Sequence, residues 1–179
     1  GGVGSIAIQL AKLAGLIVIA TASRPETRDW VAHLDADYIV DHRQPLLPQL
    51  KEIGMPLVDF IANFHDTDAY WTAMETLIRP QGKIVGIVGN QSALDLNVLK
   101  NKSATFVWEY MFTRAMYQTP DMAQQGQLLN QVATYIDSQR LRTTLRTTFS
   151  PINAANLRQA HAQLEGGRTI GKLALCGWD

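Results

Sequence analysis

The sequence lacks several features that define large classes of protein. Its 179 residues include one cysteine, Cys176, which excludes an internal disulfide framework and fits a reducing cytoplasm. The 16 basic and 16 acidic residues cancel, and no Lys/Arg cluster favours nucleic acid as a partner. The longest apolar run, around residues 16–20, is far too short to span a bilayer. These absences predict a cytoplasmic protein that binds neither nucleic acid nor a membrane.

The most informative feature that is present is the glycine-rich stretch Gly1-Gly2-Val3-Gly4-Ser5-Ile6-Ala7. From Gly2 onward it follows G-x-G-x-x-A, a pattern typical of a turn that lays a dinucleotide pyrophosphate on a helix N-terminus. Glycine lets backbone N–H groups approach the phosphate without an intervening Cβ, and the helix dipole favours the anion. An ordinary tight turn is the alternative. We predict that Gly1, Gly2, Val3 and Gly4 bind a dinucleotide, and we expect a β-strand before residue 1, in a longer enzyme.

Predicted strands and helices alternate along the chain. Apolar runs predict strands at residues 17–20, 38–40, 58–64, 83–88 and 104–111. Helical periodicity predicts helices at residues 5–14, 46–53 and 68–78 and one that begins at Pro25, and Pro80-Gln81-Gly82 is typical of a turn. Five strands joined by helices favour right-handed βαβ units. The prediction is an α/β fold with a Rossmann-type doubly wound parallel sheet that lacks its first strand.

The residues after the strand at 17–20 discriminate between the two nicotinamide dinucleotides. NAD-binding turns place an acidic residue about twenty positions past the glycines, where it binds the ribose 2′-hydroxyl. Here the chain runs Thr21-Ala22-Ser23-Arg24, and the first acidic residue, Glu26, comes later. A hydroxyl and a guanidinium suit a 2′-phosphate through charge-assisted hydrogen bonds. We predict NADP(H), with Ser23, Arg24 and Arg28 at its 2′-phosphate; a solvated arginine at a helix start is the alternative.

Four segments together resemble one known family. They are Gly1–Lys12, Leu34–His42, Leu77–Val85 and Ala160–Leu173. In this order and spacing they are similar to the cofactor loop with the first helix, the segment leading into the third strand, the fourth helix with the fifth strand, and the C-terminal helix with the final strand of medium-chain dehydrogenases/reductases. The resemblance is to the quinone oxidoreductase-like branch, and residues 21–27 and 109–114 look closest to its zinc-type alcohol dehydrogenase-like members. It covers nearly the whole chain.

The resemblance implies that the chain has two parts. Residues 1–138, which end in a predicted helix at 122–139, would be the NAD(P)-binding Rossmann domain without its first strand. Residues 139–179, with strands predicted at 143–149 and 173–175 around a helix at 156–164, would return to an absent GroES-like catalytic domain. The resemblance also implies a homodimer that forms through the edge strand at residues 104–111.

The resemblance implies further cofactor contacts as well. His42 stands where the family often has a tyrosine beside the adenosine end, so we expect it to contact that part of the cofactor; a plain strand-end histidine is the alternative. Two other strand ends, Asn63-Phe64 and Val88-Gly89-Asn90, face the crevice in which open parallel sheets bind cofactors. We expect these five residues to line the cofactor site.

No catalytic or metal-binding constellation is visible in the sequence. The histidines have no metal-ligand spacing; they are His33, His42, His65 and His161. Zinc-dependent relatives carry their ligands in the absent lobe. We interpret Cys176 as a small apolar residue within a strand. The prediction is therefore that this chain holds no metal, and the catalytic residues stay unassigned.

These observations predict a parent protein that is an NADPH-dependent oxidoreductase. It would transfer hydride, without zinc, to a small-molecule electron acceptor such as a quinone, an enone or a carbonyl compound. Three alternatives stay open: a zinc-dependent alcohol dehydrogenase whose ligands lie in the missing lobe, an S-adenosylmethionine-dependent methyltransferase, and a non-enzymatic NADPH-binding protein. We expect the chain by itself to be weakly active or inactive, and to self-associate through an exposed apolar face.

Overall fold

The computed structural model describes residues 1–178; Asp179, the last residue of the predicted returning segment, lies outside them. The helices are α1 (Gly2–Leu13), α2 (Pro25–His33), α3 (Leu46–Glu52), α4 (Thr67–Leu77), α5 (Asn97–Lys100), α6 (Thr113–Tyr117), α7 (Ala123–Asp137) and α8 (Ala154–Glu165). The strands are β1 (Ile19–Thr21), β2 (Tyr38–Val40), β3 (Val58–Asn63), β4 (Ile78–Gly86), β5 (Thr105–Trp108), β6 (Leu145–Phe149) and β7 (Lys172–Leu175). The chain forms two units: unit 1 is residues 1–39 with the segment from Leu129 onward, and unit 2 is Val40–Leu128.

Unit 2 is built on the parallel sheet β3-β4-β5, in which β4 is the central strand. Ile84 of β4 pairs with Ile61 on one side and Phe106 on the other, and its side chain has no exposed surface. Helix α4 covers the sheet with Trp71, whose ring meets that of Phe106 edge-on at 5.5 Å, and with Met74. The apolar alternation along β4 thus produces a buried strand.

The predicted turn at Pro80-Gln81-Gly82 is wrong, because these residues form a bulge inside β4. Val58 pairs with Ile78 and Phe60 pairs with Lys83, so β4 has more residues than β3 over the same stretch. Gln81 takes the left-handed conformation, with φ of 63°. A Cβ on Gly82 would lie 2.9 Å from the Asp59 carbonyl oxygen, so this close approach of backbones requires glycine.

Unit 1 combines a small α/β layer with a βαβ unit. Ile8 of α1, Ala20 of β1 and Leu34 after α2 form its apolar cluster, and Leu34 has no exposed surface. Strands β6 and β7 pair in parallel around α8. In the described residues the strands form sheets of two, three and two strands: β1-β2, β3-β4-β5 and β6-β7. The predicted α/β class with parallel pairing is confirmed.

Candidate functional site

The glycine-rich stretch lies at the N-terminus of α1. The helix begins at Gly2, three residues before the predicted start, so the glycines form its first turn and not a separate turn. The first bond of the helix joins the Ser5 N–H to the Gly1 carbonyl at 3.1 Å. The N–H groups of Gly2, Val3 and Gly4 therefore have no acceptor within the helix. They supply donors at the positive end of the helix dipole, as an anion site requires.

Lys172, the first residue of β7, reaches the same helix end. A Cβ built on Gly2 would lie 2.8 Å from Cδ and 2.9 Å from Nζ of Lys172, so the end of this lysine side chain lies directly against the backbone of Gly2. The approach is set up by Gly171, which has φ of 67° and whose added Cβ would collide with the Thr144 carbonyl oxygen. The Lys172 N–H also donates to that carbonyl at 2.7 Å. Sequence reasoning did not assign Lys172, because no local pattern places a residue 170 positions away beside Gly2.

Arg24 adds a second positive charge near α1. Its Nη2 donates to the Arg168 carbonyl at 3.1 Å, which places the guanidinium beside the loop before β7. The Thr27 hydroxyl donates to the Arg24 carbonyl at 2.8 Å and accepts from its N–H at 3.2 Å, which fixes the backbone there. The charges of both Arg24 and Lys172 act at this helix end, so the field there is positive.

Ser23 and Arg28 flank Arg24 at the end of β1. Ser23 is half-buried, and Arg28 is exposed. The Arg28 guanidinium donates to the Ala22 carbonyl at 3.3 Å and to the Ile39 carbonyl at 3.4 Å. Because a guanidinium carries five N–H donors, Arg24 and Arg28 both keep donors for an anion. The structure thus brings the predicted phosphate-binding residues of unit 1 into one region.

In unit 2, the carboxyl ends of β3 and β4 are joined by a buried polar network. Asn63, which is 8% exposed, donates from Nδ2 to the Thr67 hydroxyl oxygen at 3.1 Å. That hydroxyl, with no exposed surface, donates to the Val88 carbonyl at 2.6 Å. The sequence analysis missed Thr67, since a threonine at the start of a helix carries no functional signal. Half-buried Phe64 follows Asn63 directly.

Two depressions of unit 2 are lined in part by residues that follow β4. A cleft of about 430 Å³ is lined by Val88, Gly89 and Gln91 together with His65, Asp66 and Asp68. A more apolar groove of about 570 Å³ includes Asn90 and Trp108 in its lining. The structure therefore brings Val88 and Gly89 together in one cleft, beside Asn63, and places Asn90 on the neighbouring groove.

His42 is exposed, in the turn that follows β2, and belongs to unit 2. Its neighbour Asp41 accepts hydrogen bonds from Arg43, the shortest at 2.7 Å, and these lower the pKa of Asp41 to about 2. An ionised carboxylate therefore adjoins His42 at any ordinary pH. The role of His42 at the adenosine end of a cofactor stays a prediction.

Across residues 1–178, no group of three or more His, Cys, Asp or Glu side chains is placed to hold a metal ion. The residues present in that range therefore do not fit a zinc site. Cys176 lies just beyond β7 and is exposed, so the interpretation as an apolar residue within a strand is wrong.

No helix within the described part of the chain is both long and apolar enough to cross a membrane.

Comparison with known structures identifies the fold. The structure of Escherichia coli quinone oxidoreductase complexed with NADPH superposes with a TM-score of 0.78, at 21% identity, over 98% of this chain and 54% of that one. At this identity the likeness shows the fold alone. A Rhizobium etli CFN 42 protein described as a zinc-dependent alcohol dehydrogenase superposes with a TM-score of 0.92, at 46% identity, over 100% of this chain and 52% of that one.

Sequence comparison then shows the family. A zinc-type alcohol dehydrogenase-like protein of Staphylococcus aureus (strain MSSA476) is 45% identical over 175 residues, 98% of this chain and 52% of that protein. Residues 34–175 match the family described as zinc-binding dehydrogenase, and the chain belongs to that family. The chain spans about half the length of the curated relatives it matches.

Proposed function

We propose that this chain is the NADP(H)-binding part of a longer oxidoreductase. Residues 1–138 would form the cofactor domain, and residues 139–179 would return to a catalytic domain. The length of the relatives, about twice that of this chain, supports this division. The observation that carries the cofactor assignment is the convergence of Arg24, Lys172 and the unpaired N–H groups of α1 on one helix end.

The residues of unit 1 fit the phosphates of a dinucleotide. The N–H groups of Gly2, Val3 and Gly4 would hold the pyrophosphate, and Lys172 would add its charge to theirs. Arg24 with Ser23 would hold the 2′-phosphate, with Arg28 as a further charge. The protein contributes binding and orientation, and the bound nicotinamide supplies hydride.

The residues of unit 2 would orient the nicotinamide end. The Asn63–Thr67–Val88 network fixes the backbone where β3 and β4 end. Main-chain groups of Val88, Gly89 and Asn90 are then available to hold a polar ligand group in one orientation. Open parallel sheets bind ligands at this edge, which is where these side chains and the cleft lie.

For the longer protein we assign a quinone, an enone or a carbonyl compound as the electron acceptor, reduced without zinc. The likeness in fold to a quinone oxidoreductase supports this choice. The described residues of this chain do not form a zinc site, so the steps assigned to them are binding and orientation of the cofactor. Family membership favours a dehydrogenase over the methyltransferase alternative.

Zinc-dependent alcohol oxidation is the second candidate, and the description of the family as zinc-binding favours it. The two are separated by measuring the metal content of the longer protein together with its NADPH-dependent quinone reduction. Stoichiometric zinc, and activity that a chelator abolishes, would select the alcohol dehydrogenase. Quinone or enone reduction by metal-free protein would select the first candidate.

The cofactor assignment is tested at Arg24. Arg24→Gln removes the charge that would meet a 2′-phosphate, and a charge-assisted bond contributes about 1.5–3 kcal/mol. We therefore expect NADPH affinity of the longer protein to fall about 10- to 100-fold, and NADH affinity to change less than about twofold. Arg158→Gln, on the exposed face of α8, is the matched control and should leave both affinities unchanged. Equal losses for NADPH and NADH, or no loss, would contradict the assignment.

We assign a homodimer to the edge strand at residues 104–111. β5 pairs with β4, and Val107 and Trp108 are 46% and 48% exposed. Val107→Lys should convert the dimer to a monomer in light scattering, because a charge on an edge strand opposes pairing. Thr72→Lys, exposed on α4, adds the same charge elsewhere and should leave the dimer intact. A monomeric wild-type protein would overturn this assignment.

A cytoplasmic location is also part of the proposal. Cys176 is a free, exposed thiol, a state that a reducing compartment maintains. Cell fractionation with an antibody against the protein checks this, and recovery in a secreted or oxidising fraction would contradict it.

A further inference from the structure

The first turn of α4 holds the segment after β4 at three points. Thr67 donates its hydroxyl to the Val88 carbonyl at 2.6 Å. Asp68 accepts one hydrogen bond on each carboxylate oxygen, from the Gln91 N–H at 2.7 Å and from the Ser92 N–H at 2.9 Å. Between these points, Asn90 donates from Nδ2 to the Ser92 carbonyl at 2.6 Å. The segment Val88–Ser92 is therefore tied to α4 along its length.

A carboxylate suits this position better than a neutral side chain. Asp68 lies in the first turn of α4, where the helix dipole stabilises a negative charge. Hydrogen bonds to a charged acceptor are stronger than neutral ones, and those from Gln91 and Ser92 lower the pKa of Asp68 from its ordinary value. An asparagine has one oxygen, so its NH₂ group would face one of the two backbone N–H donors.

We propose that Asp68 is a positioning residue for the nicotinamide end of NADP(H), acting through the backbone of Val88–Asn90. This inference rests on the proposed function, which puts the nicotinamide at that backbone. Asp68 lines the same cleft as Val88 and Gly89, and both its oxygens are used by Gln91 and Ser92. It therefore acts on the ligand through the segment that it holds.

The test compares two ligands that share the phosphate end of the cofactor. NADPH contains both ends, whereas adenosine 2′,5′-bisphosphate lacks the nicotinamide half. We expect Asp68→Asn to weaken NADPH binding about tenfold, the effect of about 1.4 kcal/mol, and to leave binding of the bisphosphate unchanged. Calorimetric titration of the longer protein measures both. Hydrogen exchange should also show faster exchange at the Gln91 and Ser92 amides in the variant.

Asp95→Asn is the matched control. Asp95 is an exposed aspartate in the same connection that accepts a hydrogen bond from a backbone N–H, that of Asn97 at 2.9 Å, and it lines neither depression. This variant should bind both ligands as the wild type does. If Asp95→Asn changes the two affinities as Asp68→Asn does, the loss of a negative charge alone explains the effect, and the positioning role of Asp68 is wrong.

The remaining outcomes distinguish the inference from the function on which it rests. If Asp68→Asn weakens the binding of both ligands equally, or leaves the NADPH affinity within twofold of the wild-type value, the positioning role is wrong and the cofactor assignment stands. If the wild type binds the bisphosphate as tightly as NADPH, the nicotinamide end makes no contact and the role is also wrong. If the wild type binds neither ligand, the proposed function fails and the inference fails with it.

Discussion

The two units differ in where their fully buried apolar side chains lie. In unit 2 these are Ile78 and Ile84, in the central strand of a three-stranded sheet. In unit 1 the fully buried apolar side chain is Leu34, which lies in the connection between α2 and β2. Unit 1 instead has polar contacts between segments far apart in sequence. Gln9 bonds both backbone groups of Arg142, and the Trp30 indole N–H donates to the Ser5 hydroxyl at 2.8 Å. Both units contain polar contacts, but in unit 1 these join residues from opposite ends of the chain, such as Gln9 and Arg142, whereas the fully buried side chains of unit 2 pack on one sheet.

The difference corresponds to the groups that each unit presents. Unit 1 places cationic side chains, Arg24 and Lys172, at a helix end, and a polar framework holds charged groups without burying them. Unit 2 presents main-chain groups at the end of a packed sheet, where few charges are needed. We therefore expect core substitutions to affect unit 2 most, and changes to hydrogen-bonding groups to affect unit 1 most.

The largest effect is expected for Ile84→Ala in unit 2. The side chain has no exposed surface and touches both neighbouring strands, so its removal leaves a cavity. Such substitutions lower the free energy of unfolding by about 2–5 kcal/mol. Urea unfolding followed by circular dichroism measures this loss. Leu57→Ala, at an exposed position just before β3, is the control, expected below about 1 kcal/mol; a loss at Ile84 no larger than at Leu57 would refute the description of unit 2.

The second largest loss of stability is expected when the hydrogen bonds between Gln9 and Arg142 in unit 1 are removed. Gln9 is 6% exposed; its Oε1 accepts from the Arg142 N–H at 2.7 Å, and its Nε2 donates to the Arg142 carbonyl at 3.1 Å. Gln9→Leu keeps the volume and leaves both groups unpaired, so we expect a loss of about 1–3 kcal/mol in urea unfolding.

The matched substitution in unit 2 is Gln49→Leu. Gln49 also bonds the N–H and the carbonyl of a single residue, Asp41, at 2.8 Å and 3.0 Å, but it is half-exposed. Water can replace its bonds, so the loss should be smaller. An equal or larger loss at Gln49 would mean that polar contacts matter no more in unit 1 than in unit 2.

Local sequence patterns predicted most of the elements, because periodicity reflects which face of an element is buried. The apolar run at residues 38–40 matches β2, and the helix predicted at 122–139 corresponds to α7. The prediction of a turn at residues 80–82 was wrong because pairing with β3 overrode the local preference of Pro-Gln-Gly for a turn. The prediction that Cys176 lies within a strand was wrong because β7 ends at Leu175, one residue before it.

Candidate site residues could be proposed from the sequence only where they lie within short local motifs. The glycines of α1 and Arg24 lie within short motifs that a sequence displays. Lys172 beside Gly2, and Arg142 beside Gln9, depend on the path of the chain through the whole fold, which no short window contains. Thr67 and Asp68 act through hydrogen bonds to a later loop, so residue type alone does not reveal them.

The third prediction separates binding from stability within unit 1. A Cβ on Gly4 would meet no atom within 4 Å, and alanine favours a helix over glycine by about 0.5–1 kcal/mol. Gly4→Ala should therefore raise the stability of the protein slightly while it lowers NADPH affinity about tenfold, because the Cβ keeps the pyrophosphate from the backbone. Gly126→Ala in α7, equally open, should give the same gain and unchanged affinity. If Gly4→Ala binds NADPH as tightly as the wild type does, the pyrophosphate does not bind at this helix end.

The smallest effect concerns an exposed ion pair of unit 1. Asp37 accepts from Lys12 Nζ at 2.7 Å and from the Val18 N–H at 2.7 Å, and these bonds lower its pKa, that from Lys12 most. The folded state thus has the lower pKa, so the stabilisation is fully present above the ordinary pKa of about 4. It is lost as pH falls through the lower, folded value.

The test compares variants of this pair. Asp37→Asn should unfold at a slightly lower urea concentration than the wild type at pH 7, and this difference in stability should disappear in acid. Lys12→Gln should behave alike, and the double variant should lose less than the two singles together, since the pair is shared. A gap that persists unchanged in acid would show that Asp37 stabilises unit 1 by its shape and not by its charge.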